Sequence, residues 1–197
     1  MILSALAGYV VGSLPLGYLA GRRFGGVDLR AVGSRNVGAT NMYRVSGPRL
    51  GAAVMTLDLA KGALAVALTS AALPAPDPVA AGVAAVAGHV YPIWLRGQGG
   101  KGVATACGAF ALLAPAATVA AAVAFACTVW LTRAVSAGSL VASVALPTAA
   151  ALTGAAAAVV WGSALAGALI IWRHRGNLAR LRRGTEHRLA RKRIPHA

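Results

Sequence analysis

The chain alternates long apolar runs with short polar stretches rich in glycine and arginine. Residues 1–21 are almost wholly apolar, and Arg22 and Arg23 follow the run instead of preceding it. This order predicts a retained membrane helix, because a signal peptide carries its basic region first. Residues 22–49 are polar and glycine-rich and read as a loop at the membrane surface. Apolar runs resume at 50–73 and 78–95, divided by Pro74, Pro76, Asp77 and Pro78. Those breakers leave room only for a tight turn, so the pair predicts a helical hairpin. A second glycine-rich stretch, 97–102, precedes apolar runs at 103–114, 116–132, 137–154 and 157–172, punctuated by Pro115, segment 133–136 and Gly154. The expectation is an all-α, polytopic membrane bundle of about seven helices. A straight span needs roughly 20 residues, so 103–114 is expected to be half-length or re-entrant.

Composition sharpens this picture. The 197 residues form one domain by length, with 173–197 as its basic tail. A formal charge of +15 suggests nucleic acid, but 58% hydrophobic and 12% charged residues leave too little polarity to cover a soluble surface, which carries about 25% charged residues. If the amino end lies outside, the inner loops and tail hold 18 of the 19 Lys and Arg, Lys61 alone falling inside a span. That asymmetry predicts an outer N-terminus and a cytoplasmic C-terminus. It also makes the charge topological and sets nucleic acid aside as a partner. The 24 glycines and abundant alanines allow close helix contacts through small faces. Cys107 and Cys127 are too few for a disulfide framework or a structural zinc site.

The unusual polar residues fall into three clusters, all on the inner side. The first, 33–44, concentrates Ser34, Asn36, Thr40, Asn41 and Arg44, donors that suit a small polyoxygenated substrate better than a lipid-touching loop requires. The second, 88–105, contains Gly99, Gly100, Lys101 and Gly102 at the opening of a helix. Backbone N–H groups in such a run suit phosphate oxyanions, although a flexible turn with a snorkelling lysine is the plainer alternative. No Ser or Thr follows Lys101, so the run is not a nucleotide-binding Walker loop. In the third, 172–186, most arginines fit a juxtamembrane tail, whereas His174, Asn177 and Glu186 require more. His174 and Asn177 share a face if the helix continues past the membrane. Asp58 and Lys61, three apart within a span, are expected to neutralise one another, with lining of the site as the alternative. His187 and His196 read as solvated. Carboxylates occur only at 28, 58, 77 and 186, which gives no cluster for two divalent metals; no metal or other cofactor is expected.

The three clusters together resemble the motifs of the bacterial acyl-phosphate:glycerol-3-phosphate acyltransferases, small integral membrane enzymes. The first motif of that family, S-G-N-[IV]-G-A-T-N followed shortly by Arg, is matched by residues 34–41 and Arg44. Its second, G-H-x-[FY]-P and then G-G-K-G-V-A-T, is matched by 88–92 and 99–105, and its third, R-H-x-x-N-[IL]-x-R-L-x-x-G-x-E, by 173–186. Two departures stand out: Arg35 replaces the usual Gly, and 96–98 replaces a stretch commonly rich in Lys and Phe. No His here has Asp five positions on, which excludes the acyltransferases built on a His-x4-Asp pair.

The resemblance implies transfer of a fatty acyl group from acyl phosphate to the 1-hydroxyl of glycerol 3-phosphate, the first acylation of phospholipid synthesis. It implies a site on the cytoplasmic face of the bacterial inner membrane, among membrane lipids. Lys101, Arg44 and the N–H groups of Gly99, Gly100 and Gly102 would then take the phosphates, and Ser34, Thr40 and Asn41 the substrate oxygens. His174 and Asn177 would orient the attacking hydroxyl, with Glu186 among the substrate-binding residues. The proton goes either to His174 or to a donor phosphate oxygen. The reading from another class is a small transporter or channel for an anionic solute, which should carry polar residues through the midplane.

Overall fold

A computed structural model describes residues 1–189; 190–197, with His196, lie outside the described residues. All regular structure in the described part is helical. The first apolar run is helical but broken. Helices α1 (Ile2–Ser13) and α2 (Leu16–Phe24) meet where Pro15 supplies no N–H and pushes Leu14 out of the helical region, to φ −56° and ψ 120°. Lys61 Nζ donates to the Leu14 carbonyl freed there, at 3.2 Å. The intramembrane lysine therefore caps the break as well as pairing with Asp58.

Residues 22–49, expected as a loop, include a further helix, α3 (Ala39–Ser46). Leu29 and Met42, both wholly buried, plug with Val37 into a small core completed by Ala20, Val54 and Leu95. That burial orders a segment whose composition alone suggests none. Helix α4 (Pro48–Ala72) opens on proline, whose missing N–H costs nothing at a helix start. Asp77 caps α5 (Pro78–Val90) by accepting the Ala80 N–H at 2.9 Å. Helix α5 stops short of residue 95 before Pro92, and a 3₁₀ turn, Ile93–Leu95, leads into the glycine-rich loop. Then come α6 (Val103–Leu113), α7 (Pro115–Thr132), α8 (Val135–Leu152), α9 (Ala157–Arg173) and α10 (Arg175–Arg182).

All seven apolar runs are thus helical, but by length and hydropathy five stretches qualify as spans: Ile2–Phe24, Pro78–Leu95, α4, α7 and α8. A sixth arises if α9 and α10, bent by 60°, count together, and α6 is shorter. The expected seven is therefore five or six by this measure, with α6 the short segment that residues 103–114 foreshadowed. The arginines of α10 place that limb past the apolar part of α9.

Glycines let several helix pairs approach to backbone contact, two of them most closely. A Cβ at Gly8 or Gly12 of α1 would lie 2.2 or 2.1 Å from the carbonyl oxygens of Ala81 and Ala85 of α5. In the second pair, a Cβ at Gly62 would lie 2.0 Å from Thr105 O, and one at Gly108 1.9 Å from Leu59 O, which fixes α4 on α6. Lipid supplies no hydrophobic drive between helices, so such close small-residue faces carry much of the association. Gly12→Val should separate α1 from α5, costing about 1–3 kcal/mol as overpacking does. A detergent-solubilised variant melting at the wild-type temperature would show that this contact is not stabilising.

Candidate active site

The three polar clusters converge on one cavity of about 330 Å³. Its mouth carries Ser34, Thr40, Arg44, Lys101, His174, Asn177, Arg180 and Glu186, and its interior runs between α7, α8 and α9 past Ala121, Phe125, Leu146 and Ile170. Met55 of α4 and Ala122 of α7 also line it and are exposed, so the cavity opens sideways between those helices. The result is amphiphilic, with cations at one end and an apolar trough behind.

The third cluster is positioned by the bend between α9 and α10. At His174 the N–H still reaches Ile170 O and Ile171 O, both at 3.0 Å. The helix then turns, so His174 and Asn177 share the cavity because of a bend and not a continuous face. His174, 2% exposed, holds Nδ1 2.8 Å from Ile170 O. A carbonyl can only accept, so Nδ1 carries the proton and Nε2 keeps a free lone pair. Burial, with Lys101 nearby, pushes the His174 pKa down to about 4. The imidazole is therefore neutral near neutral pH.

Lys101 Nζ donates to Asn177 Oδ1 at 2.5 Å, and Asn177 Nδ2 donates to Glu186 Oε1 at 2.6 Å. The amide orientation is dictated by its neighbours, since an ammonium only donates and a carboxylate only accepts. Glu186 also accepts from Ser136 Oγ at 3.0 Å and from Arg180 Nε at 2.8 Å. Burial raises its pKa, but the bonds from Asn177, Ser136 and Arg180 outweigh this and hold it below the usual carboxylate value. Burial pushes Lys101 down to about 8; Glu186 opposes that shift, and Arg180, Arg44 and Arg173 add to it.

Three of the expected substrate contacts bond or pack within the protein. Asn41, 1% exposed, lines the cavity, but its Oδ1 accepts the Ser34 N–H at 2.8 Å and its Nδ2 donates to Leu29 O and Val32 O at 3.1 Å. These bonds clamp the first cluster. Glu186 also lines the cavity, and its carboxylate accepts from three protein donors, which anchors Asn177. Gly99, Gly100 and Gly102 are buried and do not line the cavity, and the Gly100 N–H already bonds His89 O at 3.1 Å. What faces the cavity instead is the first turn of α6, Val103 and Ala104, whose N-terminal end favours anions. Ser34, Thr40 and Arg44 do line it, and among the described residues no hydrogen bond occupies their side chains.

Asp58 and Lys61 pair at 2.8 Å, and Asp58 lines the cavity. His89, buried 3.4 Å from Asp58 through Nδ1, also lines it and was missed, although it stands inside the second motif. Ser136 and Arg180 were missed as well. Of the remaining histidines in the described part, His187 is exposed, as expected. Arg35, where the motif usually has Gly, sits at φ 58°, a left-handed conformation costing an L residue about 1–2 kcal/mol. That accounts for the glycine.

The profile of the family described as Glycerol-3-phosphate acyltransferase matches residues 2–184. The chain belongs to this family. A Glycerol-3-phosphate acyltransferase of Myxococcus xanthus is 50% identical over 185 residues, covering 93% of this chain and 96% of its own. One from a Synechococcus species is 45% identical over 197 residues, covering 98% of each. The fold matches crystal structures of PlsY (YgiH), an integral membrane glycerol 3-phosphate acyltransferase. Its glycerol 3-phosphate form has a TM-score of 0.89 at 34% identity, covering 96% of this chain and 95% of that one. Its lysophosphatidic acid form has a TM-score of 0.87 at 32% identity, with the same coverage. The chain is thus an acyltransferase and not the alternative transporter.

The Lys101 ammonium is charged below about pH 8 and loses its charge as pH rises through that value. The acyltransferase kcat/KM should therefore fall above pH 8, and Lys101→Arg, charged throughout, should move that limb upward. An unmoved limb would assign it to another group. With His174 titrating near 4, that imidazole should contribute no acidic limb between pH 5 and 7.

Proposed function

We propose that this acyltransferase takes its acyl group from acyl phosphate and places it on the 1-hydroxyl of glycerol 3-phosphate, at the cytoplasmic face of the inner membrane. The observation that supports the reading is the convergence of three separate motifs on one cavity with a cationic mouth and an apolar interior. Both substrates carry phosphate, and one carries a fatty chain. Lys101, Arg44 and the first turn of α6 meet the phosphates, while Ser34 and Thr40 hold substrate oxygens. The chain of the donor lies along α7 and α8, toward Leu146.

The glycerol hydroxyl oxygen attacks the acyl carbonyl carbon. The new C–O ester bond forms, the bond from that carbon to the phosphate oxygen breaks, and inorganic phosphate leaves with the hydroxyl proton. A phosphate monoester has a second pKa of about 6, above the value near 4 of His174, so the phosphate oxygen is the better final proton acceptor. His174 accepts the hydroxyl hydrogen bond at Nε2 and orients the attack, held by Ile170 O. The donor is already activated, so transfer is direct.

Purified protein given acyl phosphate and radiolabelled glycerol 3-phosphate should yield labelled lysophosphatidate; no product would overturn the donor assignment. His174→Gln, which still accepts a hydrogen bond, should keep much of the single-turnover rate, and His174→Ala should mainly weaken glycerol 3-phosphate binding. Equal inactivity of both with substrates bound normally would make His174 the general base, a role whose loss costs about 10²- to 10⁴-fold. For the orientation, cysteines replacing Arg49 and Thr185 in a variant lacking Cys107 and Cys127 should resist impermeant thiol reagents in intact cells. Labelling from outside would invert the topology.

A further inference from the structure

Lys101 stands on a loop with little to hold it. Between the 3₁₀ turn and α6, Arg96, Gly97 and Gly102 take left-handed conformations, φ 51°, 76° and 87°, and the bonds Gly97 N–H to Pro92 O and Gln98 N–H to Leu95 O are local. The contacts that cross to other parts of the protein are few. On one side, Arg173 approaches Gly99 O at 3.5 Å, with its guanidinium 5.5 Å from the Tyr91 ring. On the other, His89 meets the loop at both ends of its own residue. Its carbonyl accepts the Gly100 N–H at 3.1 Å, and its imidazole lies so close beneath Gly100 that a Cβ there would fall 2.0 Å from Nε2. A Cβ at Gly99 would fall 2.1 Å from His89 O.

The far side of that imidazole packs against the membrane-spanning part. Nδ1 lies 3.4 Å from Asp58 Oδ1, Asp58 pairs with Lys61 at 2.8 Å, and Lys61 donates to the broken helix at Leu14. His89, Asp58 and Lys61 are all buried. A buried ion pair contributes little net stability against an apolar replacement, so stability is a poor reason for a third polar ring beside it. The ring instead joins the rigid α4–α5 contact to the loop, one residue from Lys101.

We propose that His89, packed against Asp58, is a positioning residue that fixes the Gly99–Gly100 backbone and thereby sets the Lys101 ammonium against Asn177. The proposal rests on the reading of Lys101 as the group that meets substrate phosphate. Its reach is through the loop, since His89 itself need not touch the substrate.

The test is a double-mutant cycle on the full-length protein in detergent. A displacement of about 1 Å at a catalytic group can cost up to roughly 100-fold, so His89→Ala should lower kcat/KM by about 10- to 100-fold, chiefly through KM for glycerol 3-phosphate. In a Lys101→Ala background the same change should have little further effect, because its target is gone. Full additivity of the two substitutions would overturn the proposal and leave His89 a merely structural residue. Where His89→Ala does not fold, His89→Asn, which keeps a polar group facing Asp58, is put through the same cycle with the same expectation. Hydrogen–deuterium exchange gives a readout independent of catalysis: the peptide containing residues 99–101 should exchange faster in the His89 variant while α9 is unchanged. Unaltered exchange at that peptide sinks the tether whatever the substrates are, whereas a Lys101→Ala enzyme with the wild-type KM for glycerol 3-phosphate would remove Lys101 from phosphate binding.

Discussion

An ammonium, an amide and a carboxylate stand in one line at the end of the bundle: Lys101 to Asn177 at 2.5 Å and Asn177 to Glu186 at 2.6 Å. Lys101 comes from the glycine-rich loop and the other two from the third cluster, and Asn177 and Glu186 are buried. Removing one member leaves its neighbour unsatisfied, which costs about 1–3 kcal/mol for a buried polar group. The line therefore decides where the glycine-rich loop, α10 and, through Ser136, the start of α8 sit relative to one another. It also explains how a lysine among three arginines keeps its place: Glu186 offsets the repulsion, while burial leaves the ammonium close to its own titration point. The first cluster is held separately, by Asn41 and by the small core that Leu95 completes.

Hydropathy located every apolar helix, and charge and motif spacing indicated which polar clusters would meet. What neither conveyed was the direction of individual polar atoms. Asn41 and Ser34 both stand in the first motif, yet one spends its whole amide on Leu29, Val32 and Ser34 while the other leaves its hydroxyl free among the described residues. Composition is the same for a residue that holds a ligand and for one that holds a loop. Glu186 and Gly100 are further cases, the first engaged by protein groups 6 to 50 residues away and the second by His89 of α5.

Other differences have local causes. Helix α3 is eight residues long and buries Asn41 and Met42, too short to leave a periodic trace in a glycine- and arginine-rich stretch. The break in the first span is written in Pro15, but its consequence is not: the freed carbonyl of Leu14 recruits Lys61 from forty-seven residues on. His89 was visible as a motif letter, while its place between a membrane ion pair and the loop required the packing of α4 on α5. Arg35 shows the reverse, a departure from the motif that becomes intelligible once its left-handed backbone is known.

The sideways opening between Met55 and Ala122 has a kinetic meaning. A cavity that communicates with the acyl region of the bilayer exchanges amphiphiles by two-dimensional diffusion, so what fills its apolar trough is set by the mole fraction of a lipid among its neighbours and not by its concentration per volume of cell. Diluting the enzyme's membrane with inert lipid would slow that exchange even at constant total substrate. The water-soluble partner, arriving at the cationic mouth, obeys ordinary bulk concentration. The two ends of one cavity thus answer to two different measures of abundance, one belonging to the surface and the other to the aqueous phase.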